Sequence, residues 1–320
     1  MQRIAEAGKE TAVREHSEAI AFVAMVCVLI IAPFFAYPVF LMKALCFALF
    51  ACAFNLLIGY VGLLSFGHAL FFGWASYITA HAAKVWGFPP ELAILSGTAA
   101  AAGLGAIVGA LAIRRQGIYF AMITLALAQM MYFFAVQAPF THGEDGIQGI
   151  PQGRLFHIFD LSKPTTLYYV VLAGFLAAFL LIYRTINSPF GEVLKSIREN
   201  EQRATSLGYK TDHYKLLAFI LSGTLAVFAG ALKVFVAQNA SLTDVHWSMS
   251  GEIVLMTLVG GHGTVFGPVV GAFVIIAMQQ YLAGFGQWVT VIQGVIFVAC
   301  VLLFRRGLVG ELAHLLKRSL

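Results

Sequence analysis

The chain has 320 residues, 60% of them hydrophobic and 11% charged, with a formal net charge of +5 and a mean hydropathy of +0.85. A soluble domain of this length could not bury so much apolar surface, which leaves an integral membrane protein. The positive balance does not point to nucleic acid, because the basic residues flank apolar segments, where membrane topology accounts for them.

Residues 1–18 are polar and mixed in charge, with Arg3, Lys9 and Arg14. They read as a cytoplasmic N-terminal segment ahead of an uncleaved span, with no cleavable signal peptide. Apolar spans are expected over 19–35 and 39–58, with Pro33 and Pro38 bracketing a short outer turn. Gly59, Gly62, Gly67 and Gly73 then break or thin the helix, and a third span follows. A fourth span, 92–113, is rich in Ala and Gly, including Gly103, Gly105 and Gly109. Small residues let helices approach closely, so this span is expected at the centre of the bundle. Arg114 and Arg115 mark an inner turn, and a fifth span covers 118–136. The polar loop 138–164 has few Lys or Arg and is placed outside. A sixth span covers 167–183.

The interval 184–215 is the longest polar stretch between apolar spans. It contains Arg184, Lys195, Arg198, Arg203, Lys210 and Lys215, the excess that marks a cytoplasmic loop. Asn187 and Ser188 can cap, Pro189 suits a first helical turn, and no Gly or Pro interrupts 192–207. One short helix ending at Gly208 is expected. Either it docks into a groove of a soluble partner, or it is a solvated connector whose charges only fix topology.

A seventh span covers 216–236, and 238–250 form a second outer segment. The apolar region 252–276 is interrupted by Gly260, Gly261, Gly263, Gly267 and Pro268, so one continuous helix is excluded. A last span covers 288–304, and Arg305, Arg306, Lys317 and Arg318 place the C-terminus inside. Parity then requires 252–284 to enter and return on the outer side, or to make two short crossings. A re-entrant broken helix is the simpler expectation, with its break against protein or a water-filled cavity. The fold class is thus all-α, a polytopic transmembrane bundle of about eight spans plus a broken re-entrant helix, with both termini cytoplasmic. The domain division is a cytoplasmic segment over 1–18, a transmembrane body over 19–307 with the polar loop 184–215, and a cytoplasmic tail over 308–320.

Gly-rich breaks near 59–73 and 260–271 give a weak internal symmetry. Paired interrupted segments point to a transport pathway, against the alternative that both breaks only permit tight packing. His68 and His262 lie in these breaks. As intramembrane polar groups they are candidates for function, although hydrogen bonding to freed backbone carbonyls is the plainer account. Lys233, Glu252, His81 and Lys84 are expected near outer helix ends, where a charge reaches water. Cys27, Cys46, Cys52 and Cys300 lie in apolar runs and read as small buried hydrophobes rather than disulfides or metal ligands. No Gly precedes Lys195-Ser196 or Lys210-Thr211 as a phosphate-binding loop requires, so no nucleotide site, metal or cofactor is expected.

Four stretches carry a family resemblance. GYVGLLSFGHALFFGWASY, with Ser65, Gly67, His68 and Phe72, resembles a hallmark of branched-chain amino acid permeases of ATP-binding-cassette importers. THGEDGIQGIP, with Asp145, Gly146 and Gly149 to Pro151, resembles their outer loop. GGHGTVFGPVVGA, with Gly260, Gly261, Gly263, Thr264, Gly267, Pro268 and Gly271, resembles their second glycine motif. The run around 196–219 resembles their coupling loop, with a degenerate E-A-A-x-x-x-G element. There Gln202 and Arg203 depart from the pattern, while Ala204 and Gly208 keep it.

The resemblance implies a translocation pathway at Gly59, Gly62, Ser65, Gly67, His68, Gly260, Gly261, His262, Gly263, Thr264, Gly267 and Pro268. It implies coupling to an ATPase through Arg198, Glu201, Arg203, Ala204, Leu207 and Gly208. It also implies partners: a second permease, two cytoplasmic ATPases and a periplasmic substrate-binding protein, at a bacterial inner membrane. Urea and other amino acid permeases share much of the pattern, so the solute stays open. A self-sufficient carrier is the competing class. It would show carboxylates deep in its spans, and the mid-span regions have essentially none.

Overall fold

The computed structural model describes residues 19–156, 158–286, 288–303 and 307–315. The expectations for 1–18, for Arg305 and Arg306, and for Lys317 and Arg318 fall outside those residues. The described chain is helical almost throughout. In order, the helices are α1 (Ala19–Phe34), α2 (Pro38–Tyr60), α3 (His68–Lys84), α4 (Pro90–Ala112), α5 (Ile118–Gln137), α6 (Pro164–Ile186), α7 (Pro189–Glu199), α8 (Glu201–Ser206), α9 (Thr211–Ala237), α10 (Leu242–Val245), α11 (Trp247–Gly260), α12 (Gly267–Leu282), α13 (Trp288–Leu303) and α14 (Gly307–Leu315). Proline in the first turn starts α2, α4, α6, α7 and α12, where its missing N–H costs nothing.

Five of these, α2, α4, α5, α6 and α9, are long and apolar enough to cross a membrane. The shorter α1, α11 and α12 are also apolar, as is the Val291–Cys300 stretch of α13. The all-α expectation holds for the described residues, apart from four two-residue strands. Of these, β1 (Ile147–Gln148) pairs antiparallel with β4 (Asn239–Ala240), and β2 (Arg154–Leu155) pairs with β3 (Phe159–Asp160).

The two ends of the bundle differ. The upper end carries residues 138–163 and the β1–β4 ribbon, against which Lys84 donates to the Gln148 carbonyl at 2.6 Å. The lower end carries α7 and α8. The core is built around α2, whose most apolar stretch is 89% buried by its own chain, against 33% for α4 and 28% for α5. The expectation that the Ala/Gly-rich span is central is therefore corrected. The small residues of α4 serve one-sided packing: a Cβ at Gly109 would meet Phe219 of α9 at 2.7 Å, and one at Gly105 would meet Phe71 of α3 at 3.5 Å.

Two further corrections concern charge and helix continuity. Lys233 does not reach water; it is buried and pairs with buried Asp244 at 2.6 Å. Pairing offsets the desolvation that either charge alone would suffer. Glu252 likewise meets Gln279, which donates to it at 3.2 Å. The single helix expected over 192–207 is split at Asn200, whose extended backbone (φ −158°) ends α7. The Asn200 side chain accepts from Arg203 N at 3.0 Å and so caps α8. Gly208, at φ +91°, ends α8 as expected.

Candidate functional site

Both glycine breaks converge on the lower end of α2, by different routes. After Tyr60 the chain runs without helix through 61–67 back into the bundle, and α3 starts there. Backbone at that depth needs partners from the protein. Phe66 N donates to Thr124 Oγ1 of α5 at 3.2 Å, and Gly67 N donates to Ser65 Oγ at 3.2 Å. Gly67 is required by close approach, since a Cβ would lie 3.0 Å from the Thr124 carbonyl oxygen. The first turn of α3 meets the first turn of α11: Ala69 N donates to Ser250 Oγ at 2.9 Å. Two short helices thus begin side by side inside the bundle, one rising and one descending.

His68 sits at this junction, fully buried and edge-on to Phe54, Phe71 and Phe219. Its Nε2 lies 2.8 Å from Ser222 Oγ on α9, and Ser222 in turn donates to the Ala53 carbonyl of α2. A hydroxyl has one proton to give, so this network assigns the proton to His68 Nε2 and leaves Nδ1 as an acceptor. The Nδ1 atom has no hydrogen-bond partner. His68 therefore bonds a hydroxyl, not a backbone carbonyl freed by the break.

The second break, 261–266, is the turn of a helical hairpin. Glu252 faces Gln279, and a Cβ at Gly271 would lie 2.8 Å from Gly260 N, so α11 and α12 run antiparallel in close contact. The turn lies at the lower end, against α2 and α7. Of the two arrangements expected for 252–284, the hairpin has the form of two short antiparallel helices joined by a glycine turn at the lower end, and α3 and α11 begin inside the bundle. Thr264 Oγ1 donates to the Gly261 carbonyl at 2.7 Å and accepts from Gly267 N at 3.1 Å, closing the turn ahead of Pro268. His262 is exposed. Gly307, at the start of α14, packs on the turn backbone, since its Cβ would lie 2.9 Å from Gly260 C.

Asn55 clasps this turn to α2. Its Oδ1 accepts from Gly263 N at 2.9 Å and its Nδ2 donates to the Thr264 carbonyl at 2.9 Å. A Cβ at Gly59 would lie 2.8 Å from Gly263 N. The sequence reading passed over Asn55, although a lone amide inside an apolar span is the kind of residue that marks a special site.

The six residues implied for coupling divide into two sets. Arg198 donates through Nη1 to the Gly59 carbonyl. Glu201 Oε1 accepts from Lys215 Nζ at 2.6 Å, from Gln116 Nε2 at 2.9 Å and from Thr211 Oγ1 at 3.2 Å. Ala204 is buried at 2% exposure. Glu201 and Ala204 face their own chain, whereas Arg198 is exposed overall and only its guanidinium reaches inward. Arg203 and Gly208 are exposed, and so is Leu207 at 72%.

A helical bundle with discontinuous helices meeting in its interior, and with a separate surface helix pair at one end, is the architecture of a multi-pass membrane transport protein. The chain belongs to the family described as "Branched-chain amino acid transport system / permease component", which it matches over residues 37–303. It is 26% identical over 281 residues to the high-affinity branched-chain amino acid transport system permease protein LivM of Escherichia coli, covering 79% of this chain and 65% of that protein. It is 30% identical over 149 residues to the autoinducer 2 import system permease protein LsrC of Salmonella paratyphi B, covering 44% of this chain and 41% of that one. It is 29% identical over 166 residues to the probable branched-chain amino acid transport permease protein LivH of Methanocaldococcus jannaschii, covering 48% and 50%. The match thus covers 65% of LivM and half or less of LsrC and LivH. No solved structure matches the chain.

Proposed function

We propose that the chain is the membrane-spanning permease subunit of an ATP-binding-cassette importer for branched-chain or related amino acids. The observation that carries this reading is the family match over 37–303, a range that contains both glycine breaks and the basic interval 184–215. ATP hydrolysis belongs to two separate cytoplasmic ATPases, a second permease completes the membrane unit, and a periplasmic binding protein delivers the solute. The basic lower end faces the cytoplasm of a bacterial inner membrane, and the β1–β4 ribbon faces outward. The spans are α1, α2, α4, α5, α6, α9, the α11–α12 hairpin and α13, with α3 a partial crossing.

The solute path passes the interior junction of α3 and α11 and leaves beside the clasped turn, so Gly59, Gly62, Ser65, Gly67, His68 and 260–268 bound it. The ATPase is met by the exposed Arg203, Leu207 and Gly208. Glu201 and Ala204 hold α8 to the bundle.

Reconstitution tests the reading. An affinity-tagged chain purified from its native membranes is expected to bring down two ATPases and a sister permease, and to drive ATP-dependent uptake of labelled leucine in proteoliposomes supplied with the binding protein. Uptake by the chain alone, without ATP, would establish a secondary carrier instead. In a cysteine-free parent, a cysteine at Ser241 is expected to react with an impermeant thiol reagent in spheroplasts, while one at Ser196 stays protected. The reverse pattern overturns the topology.

A further inference from the structure

We propose that Arg198 is a positioning residue that ties α7 to both glycine breaks, so that displacement of α7 reaches them through one side chain. This rests on the reading of α7 and α8 as the elements next to the ATPase, and it adds the route by which that contact enters the bundle.

Arg198 lies in the last turn of α7, yet its side chain crosses to the end of α2. The Gly59 carbonyl it binds is among the last four of α2, which lack partners within the helix. Positive charge at a helix C-terminus is favourable, and a charge-assisted bond is roughly twice as strong as a neutral one. The stem of the side chain lies over the first break. Gly62 has φ +81°, and a Cβ there would lie 3.2 Å from Arg198 Cγ. The head lies against the second break, since a Cβ at Gly263 (φ +79°) would lie 3.2 Å from Nη1. Gly263 is also the residue whose N–H is held by Asn55. The last turn of α2, the entry to the first break, the turn of the second and α7 therefore share one point of contact. Glycine at 62 and 263 leaves room for the stem and the guanidinium, while glycine at 59 lets the Gly263 backbone approach α2. The guanidinium cannot lose its charge and has further donors to hold the point. A lysine offers one compact head without the fork.

A plain C-terminal cap would act on stability alone. The experiment therefore reads two quantities in the full-length chain, for wild type, Arg198→Ala and Arg198→Lys. The first is hydrogen exchange at 59–66 and 261–264 in nanodiscs, with the chain alone. The second is leucine imported per ATP hydrolysed in the reconstituted complex, with subunit retention measured by pull-down. Arg198→Ala is expected to exchange about tenfold faster at both breaks, to keep its ATPases, and to import about tenfold less solute per ATP, with Arg198→Lys intermediate. Unchanged exchange, a wild-type import ratio, or loss of the ATPases on Arg198→Ala each overturns the proposal. If the wild-type complex itself shows no ATP-driven uptake, the importer reading fails. The exchange data then decide on their own whether Arg198 holds the breaks.

Discussion

Residues 61–67 and residues 261–266 both interrupt helices with glycine, but the first runs into the interior and the second turns at the end of the bundle. In the first, the backbone is held by the Thr124 hydroxyl of α5 and by Ser65 Oγ from within the segment. In the second, the turn closes on itself through Thr264 and is fixed to α2 by Asn55. Glycine serves a different purpose in each. At Gly67 it allows a non-helical interior segment to pass a neighbouring carbonyl, and at Gly260 and Gly271 it allows two helices to touch along their backbones. Similar composition therefore does not imply equivalent halves. The weak symmetry of the sequence corresponds to two different structural tasks that meet at Asn55 and Gly59.

This contrast can be broken experimentally. The largest effect is expected from Gly260→Leu, whose Cβ would lie 2.5 Å from the Gly267 carbonyl carbon and 3.1 Å from Gly271 N. Forcing α11 and α12 apart is expected to destabilise the protein by more than about 3 kcal/mol, seen as loss of monodisperse protein in detergent. Normal expression and thermal stability would mean that the hairpin is not closely packed.

A pair of polar substitutions then sharpens the difference. Asn55→Ala strands the Gly263 N–H and the Thr264 carbonyl, whereas Thr124→Val strands only the Phe66 N–H. Each orphaned group costs about 1–3 kcal/mol, so Asn55→Ala is expected to cost more. Exchange should quicken at 261–264 for Asn55→Ala and at 65–67 for Thr124→Val. Identical exchange maps would show that the two breaks open as one unit.

The smallest effect is expected at Gly103 in α4, where an added Cβ meets nothing within 4 Å. Gly103→Ala is expected to stabilise by at most about 1 kcal/mol through helix propensity, with melting temperature as the readout. A large loss would show that this face of α4 is covered in the assembled complex.

Much of the fold was legible because its signals are local. Pro189 announces a helix start and Gly208 a stop, and the glycines with Pro268 announce the break between α11 and α12. The places where reading failed depend on the third dimension. Ala-rich composition cannot say whether close packing is wanted on one side, as at Gly105 and Gly109, or all round. Ala204 and Leu207 share a helical spacing, yet one is buried and the other exposed, because Glu201 pins α8 against Lys215 in one orientation. The split at Asn200 had a visible signal, an Asn directly ahead of Glu201, which was overridden by the lack of Gly or Pro. Arg198 reads as a surface charge in any sequence, and the glycines at 62 and 263 leave its stem and guanidinium a way inward.

The near-complete enclosure of α2 has a mechanical corollary. A rod sheathed on every side by its own chain has no free flank to offer another subunit or the lipid. Any surface open to a neighbour lies on the outer staves, such as α4 and α5, and not on the axle. The Asn55 and Arg198 contacts at its lower tip therefore fasten the hairpin turn and α7 to the most enclosed of the five long helices.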